Sequence, residues 1–516
     1  MTDLKWKLFL FFKDFSGRGA DSFYWLENDR LEEASAADIV AFSGAVVCHD
    51  FWLIRDVLYD MAGDLPATVI DVDEFKISIS GNPDDRLNRE KLDVTNELEQ
   101  FGARPEISSA YKRMFNRRID FNADVAKEAA VAIAKLFTTL CERARADGEI
   151  ERFFTVEVPV YRLLQKAMSA GIAINASGLS EKRREAEHDY FLCLKNYSAK
   201  HDMPLETPSR SAIENRLRAA GFEFDGVSME YVLEFVPHKD DFGSDTIALQ
   251  NFDGAKRVLS SLTLSSGCTR PIIDVFGSRT SRVHLRSPSL QNIPKKYRSI
   301  ITAHKGANLC YVDFDQYEVG IMAALSQDPQ LAALYVEGDM YEDFATTHLG
   351  LTANRKAAKQ LFLSYAYGMS RNSLIDAAVS LGAERARAKE AFRLFTRYEQ
   401  WKKEICANFQ RDGRISTVLG NHFKRGGSGG LTGKEQRSAV SQVVQGTASL
   451  IFKRALLEVD KIDDVTIVLP MHDALLFEHR RVGTPAKVVA AFVAVMTEVL
   501  AHQIVGKASV SEFVLT

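Results

Sequence analysis

Two aspartates at the ends of apolar runs offer the most promising chemistry in this chain. Asp313 follows Leu309-Cys310-Tyr311 within Val312-Asp313-Phe314-Asp315-Gln316-Tyr317-Glu318, ahead of a helix-like run through Leu325. A strand that ends in a carboxylate and then turns into a helix fixes that acid at a strand edge, a good place to hold a metal ion. Asp473 stands in Val465-Thr466-Ile467-Val468-Leu469-Pro470-Met471-His472-Asp473-Ala474-Leu475-Leu476-Phe477-Glu478. That stretch reads as two β-rich runs meeting at His472-Asp473, a hairpin with one carboxylate at its tip. Alone, Asp in a turn is ordinary turn chemistry, and Pro470 counts against the first strand. Between the two aspartates, Arg355-Lys356-Ala357-Ala358-Lys359 runs on to Tyr365-Ala366-Tyr367-Gly368. With a helical repeat of about 3.6 residues, Arg355, Lys359, Leu363 and Tyr367 share one broad face. Two cations a turn apart suit a polyphosphate, and an aromatic two turns further suits a base or sugar. The plainer alternative is an exposed basic helix face.

In this order the three segments resemble the polymerase motifs of family A DNA polymerases, the DNA polymerase I group. Asp313 and Asp473 match the two metal-binding aspartates. Glu318 matches the residue that excludes a ribose 2′-hydroxyl. Arg355, Lys359, Tyr367 and Gly368 match the nucleotide-binding fingers helix. Arg282 and Ser289-Leu290-Gln291-Asn292-Ile293-Pro294 resemble the primer-template segment, and Arg437 with Gln445-Gly446-Thr447 resembles the duplex-contacting palm helix. Thr417 and Gly420 match a Thr-x-x-Gly before a basic run. The resemblance covers roughly residues 150–516.

The resemblance implies an α/β and α+β multidomain fold, a right hand of palm, fingers and thumb behind a ribonuclease-H-like, exonuclease-type domain. The expected boundaries are 1–150 for that domain, 151–270 for the thumb, 271–325 and 431–516 for the palm, and 326–430 for the fingers. It implies template-directed addition of deoxynucleotides to a primer 3′-end. Two Mg2+ ions, with Mn2+ as a substitute, would hold the attacking and leaving oxygens of an in-line displacement, and Asp313 and Asp473 would supply their hard oxygen ligands. The remainder is positioning and charge stabilisation. Arg355 and Lys359 are assigned to the triphosphate, with Lys359 also a candidate proton donor to the leaving pyrophosphate. Glu318 and Tyr367 are expected to hydrogen-bond across the nucleotide site, which predicts deoxynucleotide selection; the alternative for Glu318 is a surface acid favouring a helix dipole. Arg282, Gln291, Asn292, Arg437, Gln445 and His472 are carried over as contacts to primer-template DNA, where minor-groove acceptors can be sensed without reading sequence. His472 could instead simply order its hairpin.

Several positions depart from the family pattern. Ala474 stands where a Glu is usual, so a third carboxylate is missing. Asp315 reads as a cap for the following helix, with compensation for that Glu as the alternative. Gly320 replaces a usual Arg, Leu363 a usual Phe or Tyr, and Ser441 a usual Asn. Tyr341 lies near a position where a His commonly assists the triphosphate. These changes bear on fidelity and sugar discrimination more than on reaction type.

The first 150 residues alternate apolar strands, as in Trp6–Phe15, Ala45–Cys48 and Thr68–Val72, with helical stretches. They resemble the family's 3′–5′ proofreading domain, with the chemistry lost. The first acidic motif aligns with Phe12-Lys13-Asp14. The second falls near Ile54, after Cys48-His49-Asp50, and the third at Phe121 to Val125. Without clustered carboxylates no metal pair is held, so no proofreading is expected. The alternative is an unrelated α/β domain.

A chain of 516 residues allows three or four structural units. Its net charge of −4 would not by itself suggest DNA. Residues 351–430, however, hold 15 Lys and Arg against 6 Asp and Glu, an excess of nine positive charges that fits a surface facing phosphates or a solvated helical face. The six cysteines show no Cys-x-x-Cys spacing, which argues against structural zinc and fits a reducing compartment. No apolar run is long enough for a membrane span, and the N-terminus does not read as a leader. A cytoplasmic monomer, bacterial or from a phage-infected cell, is expected, with no 5′-nuclease region; accessory replication proteins, if any, stay open, as do repair and replicative roles. Ala144–Ile150 reads as a linker. Val160, Leu163, Leu164 and Ala167 keep helical spacing up to a stop at Gly171. Lys182 to Lys200 reads equally as a helix on DNA backbone or as coiled-coil packing. Gly426-Gly427-Ser428-Gly429-Gly430 reads as a mobile loop, with phosphate capture by its amides as the less specific alternative. Two competing readings remain. One is a single-subunit RNA polymerase, against which Glu318 argues. The other is a catalytically inactive primer-template-binding protein on a polymerase scaffold, which only Ala474 supports.

Overall fold

The computed structural model describes residues 4–16, 19–222, 229, 232–233, 240–352 and 354–514. Its first sheet is built from β1 (Trp6–Phe12), β2 (Ser22–Glu27), β3 (Arg30–Ala34), β4 (Ala45–Cys48) and β5 (Thr68–Asp71). Their spatial order is β3-β2-β1-β4-β5, with β1, β4 and β5 mutually parallel and β2 antiparallel to both its neighbours, β1 and β3. Leu8 to Phe12 are all buried, because β1 is the central strand and is covered on both faces. The helix Ala123–Ala146 lies against this sheet through Ala126, Ala129, Ala130, Ile133 and Phe137. Its alanines favour the helix and let it approach closely, and the Asn122 side chain caps its start by accepting from the amides of Asp124 and Val125.

The expected linker at Ala144–Ile150 is instead one packed turn. Gly148 adopts φ +75°, Glu149 is buried, and the chain re-enters helix at Ile150. The reason is electrostatic: the Glu149 carboxylate is engaged by Arg152, His422 and the amide of Asn421. The helix Val158–Ala170 then stops at Gly171, φ +86°, as its sequence predicts. Two long helices, Ala176–His201 and Phe242–Ser261, pack on each other. Tyr190, Leu194, Tyr197, Phe242 and Leu249 form a core of their own there.

Two short antiparallel pairs follow, β6 (Ile172–Ala173) with β7 (Cys268–Thr269) and β8 (Ile272–Asp274) with β9 (His284–Ser287). The second main sheet contains β10 (Asn308–Phe314) and, after the pair β11 (Arg414–Thr417) and β12 (Gly420–Lys424), β13 (Thr466–Met471), β14 (Ala474–His479) and β15 (Ala508–Ser511). Its order is β13-β14-β10-β15, all antiparallel. Pro470 sits within β13, and the sheet tolerates it because β13 is an edge strand whose register shifts between Ile467 and Leu469. Phe314 stacks on Tyr317 at 4.1 Å and packs on Phe492 at 4.6 Å. These contacts fasten the helices Tyr317–Ser326 and Thr484–Val499 to the sheet.

The structure corrects two further expectations. The glycine-rich run is fastened rather than loose. Arg425 donates to the carbonyls of Gly429 and Gly430 and pairs with Glu435 at 2.9 Å, while Gln410 also donates to Gly429. Glu435 in turn closes a capping box with Thr432 at the start of the helix Gly433–Asp460. Asp315 does not cap the helix after it, which starts behind Gln316 with no side-chain cap; its carboxylate takes the Ser509 hydroxyl at 2.9 Å. Among the described residues no helix is long and apolar enough to cross a membrane.

Candidate active site

Four stretches far apart in sequence meet at the end of β10. The chain reverses between β13 and β14 over the two residues His472 and Asp473, with His472 at φ +60°. Ala474 pairs directly with Asp313 across the β10–β14 ladder, so its neighbour Asp473 brings its carboxylate beside that of Asp313. Burial and the negative charge of Asp473 push the Asp313 carboxyl up to about 7, Asp315 adds to this, and Lys359 opposes it. The Asp313 Oδ1 atom is buried without a hydrogen-bond partner. Two hard carboxylates, one of them with an orphaned, desolvated oxygen, form a donor set that fits a divalent cation.

Lys359 and Arg355 are both exposed on the helix Arg355–Ala366. Arg355 bonds Asp339 at 2.6 Å, and both cations lie over the ring of Tyr341, at 5.5 and 5.6 Å from its centre. The Asp339 contact was not anticipated. Its one sequence signal is an Asp at the start of a short helix, where it caps Tyr341 and Glu342. Tyr367, at the end of the same helix, donates its hydroxyl to Glu318 Oε2 at 2.7 Å, while Arg282 donates to Glu318 Oε1 at 2.8 Å. Glu318 therefore joins the strand–helix segment, the basic helix and the Arg282 turn through one carboxylate. Gly368 has φ +92°, and a Cβ there would lie 3.4 Å from Arg437. Arg437 and Gln445 face this region from the long helix, with Ser441 donating to Gln445 at 3.0 Å.

His472 is exposed at the hairpin tip; partial desolvation, reinforced by Arg282, holds its imidazole below the ordinary range. Gln291 departs from expectation. It is buried, its carbonyl taken by the amide of Leu285 and its amide nitrogen by the carbonyls of Val283 and Pro470. A side chain spent this way ties the β9 segment to the hairpin and does not present itself to DNA. Asn292 is accessible and bonds Ser289. Gly320 has a packing reason: a Cβ would come within 2.9 Å of Met496 and Tyr335, which leaves no room for an Arg. Thr417 closes the turn to Gly420 at 2.6 Å, and Gly446 lets the long helix lie against it, since a Cβ there would meet the Thr417 methyl at 2.7 Å.

In the N-terminal sheet, the strand end expected to align with a nuclease motif is filled by rings. Phe12 packs on Tyr24, Tyr111, Phe115 and Phe121, and Tyr24 stacks on Phe121 at 4.8 Å. Ile54 is buried, and Asp14 braces its own loop through Ser16 and Gly19. The expectation that this domain lacks clustered carboxylates is nevertheless wrong. His49, Asp50 and Asp73 each bring a potential ligand atom within 4.8 Å of the others, and burial with the charge of Asp50 raises Asp71 to about 6. The cluster was missed because its acids stand just after β4 and at the start of the helix Val72–Ser80 that follows β5, not at the end of β1.

Comparisons with known proteins agree with this geometry. The profile of DNA polymerase family A matches residues 256–511. DNA polymerase theta of Caenorhabditis elegans is 30% identical over 213 residues, 39% of this chain and 13% of that protein. DNA polymerase I of Mycobacterium tuberculosis is 25% identical over 398 residues, covering 67% of this chain and 44% of the relative. The matched parts thus span less than half of either relative. Among solved structures, the polymerase domain of Pol1 from M. smegmatis, in complex with DNA primer-template and dNTP, superposes with a TM-score of 0.72 at 20% identity, covering 95% of this chain and 91% of that one. The shared fold includes the β10–β14 sheet and the helices around it, and the segment matched by the family profile contains Asp313, Glu318, Arg355, Lys359, Tyr367 and Asp473: residues 256–511 of this chain match DNA polymerase family A.

Proposed function

We propose that this chain is a DNA-directed DNA polymerase that extends a primer 3′-end on a DNA template, using deoxynucleoside triphosphates and without proofreading. The observation that carries the reading is the meeting of Asp313 and Asp473 at adjacent strand ends, faced by Lys359, with Glu318 bridging Arg282 and Tyr367 beside them. Residues 271–325 and 431–516 would form the palm, 326–430 the fingers and 151–270 the thumb. Residues 1–150 would be a degenerate exonuclease-like domain: its strand order and the rings that fill the end of β1 support that assignment, although the His49-Asp50-Asp73 cluster keeps two carboxylates.

Asp313 and Asp473 would hold the metal, and the orphaned Asp313 oxygen supports this. Two magnesium ions, with manganese as a substitute, would supply charge neutralisation at the reacting phosphate and activation of the primer hydroxyl. Arg355 and Lys359 bind the triphosphate oxygens; Arg355 exchanges its contact with Asp339 for the substrate. Lys359, exposed and within range of Asp313, donates a proton to the departing pyrophosphate. Glu318, fixed on both oxygens, blocks the space of a 2′-hydroxyl. Arg282, Gln445, Arg437, Asn292 and His472 face the primer-template minor groove and backbone; Gln291 holds the strands that present them.

Primer extension with magnesium, run beside Asp473→Ala and with a mismatched primer end included, tests the reading. Extension by the wild type, lost in the variant and without excision, is expected. Tight primer-template binding with no extension would transfer the function to an inactive scaffold, for which Ala474 in place of a third carboxylate is the specific feature.

A further inference from the structure

Residues 276–282 form the turn that delivers Arg282 to Glu318, and it is gripped from two sides. From the N-terminal domain, Arg86 Nη1 donates to the carbonyl of Arg279 at 2.6 Å and Arg89 Nη1 to the carbonyl of Phe276 at 3.0 Å. From the long helix, Lys453 Nζ donates to Ser281 Oγ at 2.6 Å, and Ser449 Oγ donates to the Ser281 carbonyl. Within the turn, the Gly277 amide bonds the Arg282 carbonyl at 2.9 Å and the Arg282 amide bonds Ser278 Oγ at 3.1 Å. Ser281 is fully buried with φ +68°. A non-glycine residue in that region persists only where its surroundings over-determine it.

Nothing in a nuclease would need this arrangement, and rings fill the end of β1. The gripping residues are costly to bury. Arg86, Arg152 and Lys453 all lie over the Phe276 ring, at 4.7, 5.9 and 5.2 Å, and are balanced by Glu149 and Glu157. Arg86 also reaches Asn421 Oδ1 at 2.9 Å and the His422 carbonyl at 3.0 Å, so one guanidinium ties the 276–282 turn to the β11–β12 pair. Buried cations of this kind are expensive unless they are paired and hydrogen-bonded, and here the carboxylates of Glu149 and Glu157, the side chains of Ser281 and Asn421 and the carbonyls of Ser78, Arg279 and His422 do so.

We propose that the N-terminal domain is a positioning element of the polymerase site: Arg86 and Arg89 hold the 276–282 turn against Ser449 and Lys453, and this clamp aims Arg282 at Glu318. The proposal rests on the polymerase reading for its kinetic consequence, but the clamp is measurable without it. When the clamp is released, the left-handed Ser281 relaxes, Arg282 loses its direction, and Glu318 keeps only its contact with Tyr367.

A double-mutant cycle between Arg86→Met and Arg282→Ala is the test, with Arg89→Ala as the milder substitution should Arg86→Met fold poorly. In the wild-type background, loss of the clamp should lower kcat/KM for the next correct nucleotide by about tenfold, mainly through kcat. In the Arg282→Ala background the same change should cost less than about twofold, because the residue it positions is gone. Equal losses in both backgrounds would overturn the proposal and leave Arg86 a general contributor to folding. Hydrogen exchange gives the reading that does not depend on activity. The amides of Gly277, Ser281 and Arg282 should exchange faster in Arg86→Met or Arg89→Ala, while those of β13 and β14 keep their protection. Unchanged exchange in the turn sinks the clamp whether or not the protein polymerises. A wild type that fails to extend primers, with faster exchange in the variants, would sink the polymerase reading and leave the clamp standing.

Discussion

At the end of β10, Asp313 stands beside Asp473 with one oxygen unpartnered, and the cations around it are exposed or half-exposed. At the end of β1, the chain places Phe12 under Tyr24, Tyr111, Phe115 and Phe121. Both strands are inner strands of their sheets, β1 almost wholly buried and β10 buried at alternate positions. They differ in the side chain that each strand end presents: a carboxylate left open in one, a ring enclosed by rings in the other. Phosphoryl chemistry needs charge that is fixed yet unsatisfied, and satisfaction is what the aromatic cluster provides. The domain with the filled strand end keeps acidic residues, but just beyond β4 and β5, where His49 bonds Tyr111 at 2.6 Å and Asp50 takes the Trp52 indole at 3.1 Å.

The sharpest way to break this contrast is to remove one acid from each region. Asp313→Asn should lower primer extension on the order of 10⁴-fold, while Asp50→Asn should leave both extension and the absence of excision unchanged. Single-turnover assays on matched and mismatched primers read both. Excision that Asp50→Asn abolishes would erase the contrast.

Next in size is the aromatic plug. Phe12→Ala should destabilise the protein by about 3–5 kcal/mol, as large buried truncations do, without creating nuclease activity. Calorimetric unfolding and an excision assay on the same sample decide it; a loss below about 1 kcal/mol would mean the rings are loosely packed.

Glu318→Ala sharpens the open side. With its carboxylate gone, Arg282 and Tyr367 lose their shared partner, and ribonucleotide incorporation should rise about 10–100-fold relative to deoxynucleotide. Competition between the two substrates on one template measures this, and an unchanged ratio would remove Glu318 from sugar selection.

The smallest effect concerns stability against pH. Because the folded, metal-free protein holds the Asp313 proton up to about 7, this group stabilises the fold below the ordinary carboxylate range. That contribution is lost as pH rises from about 4 through 7. Metal-free Asp313→Asn should therefore match the wild type near pH 4 and exceed it by roughly 1–2 kcal/mol above pH 7, with magnesium reversing the order. Thermal midpoints across that range, with and without the metal, check the sign.

Sequence made the open site legible and left its support hidden. Asp313, the His472-Asp473 hairpin and the basic helix are local patterns, each contained within a dozen or so residues, and their spacing survives folding. The stop at Gly171 was readable for the same reason. The clamp was not, because its bonds join residues 168 to 336 positions apart, and because Arg86, Glu149 and Arg152 look like surface charges in a linear reading. Lys453 carried a usable signal: it sits within Leu450-Ile451-Phe452-Lys453-Arg454-Ala455-Leu456, an apolar stretch in which one cation is expected to be buried and paired. Gln291 misled in the opposite direction, since a polar residue in a motif looks like a ligand contact until its amide is found consumed by Leu285, Val283 and Pro470.

Pro470 lies in the outermost strand of the sheet that carries Asp473, and its carbonyl is already occupied by Gln291. It has no amide hydrogen to offer, and the register of β13 is broken just before it. A foreign strand that tried to zip onto this rim would find a donor missing, an acceptor taken and a kinked rail. The same residue that weakens a strand on paper thus guards the hairpin against self-association, keeping a catalytic edge from becoming an adhesive one.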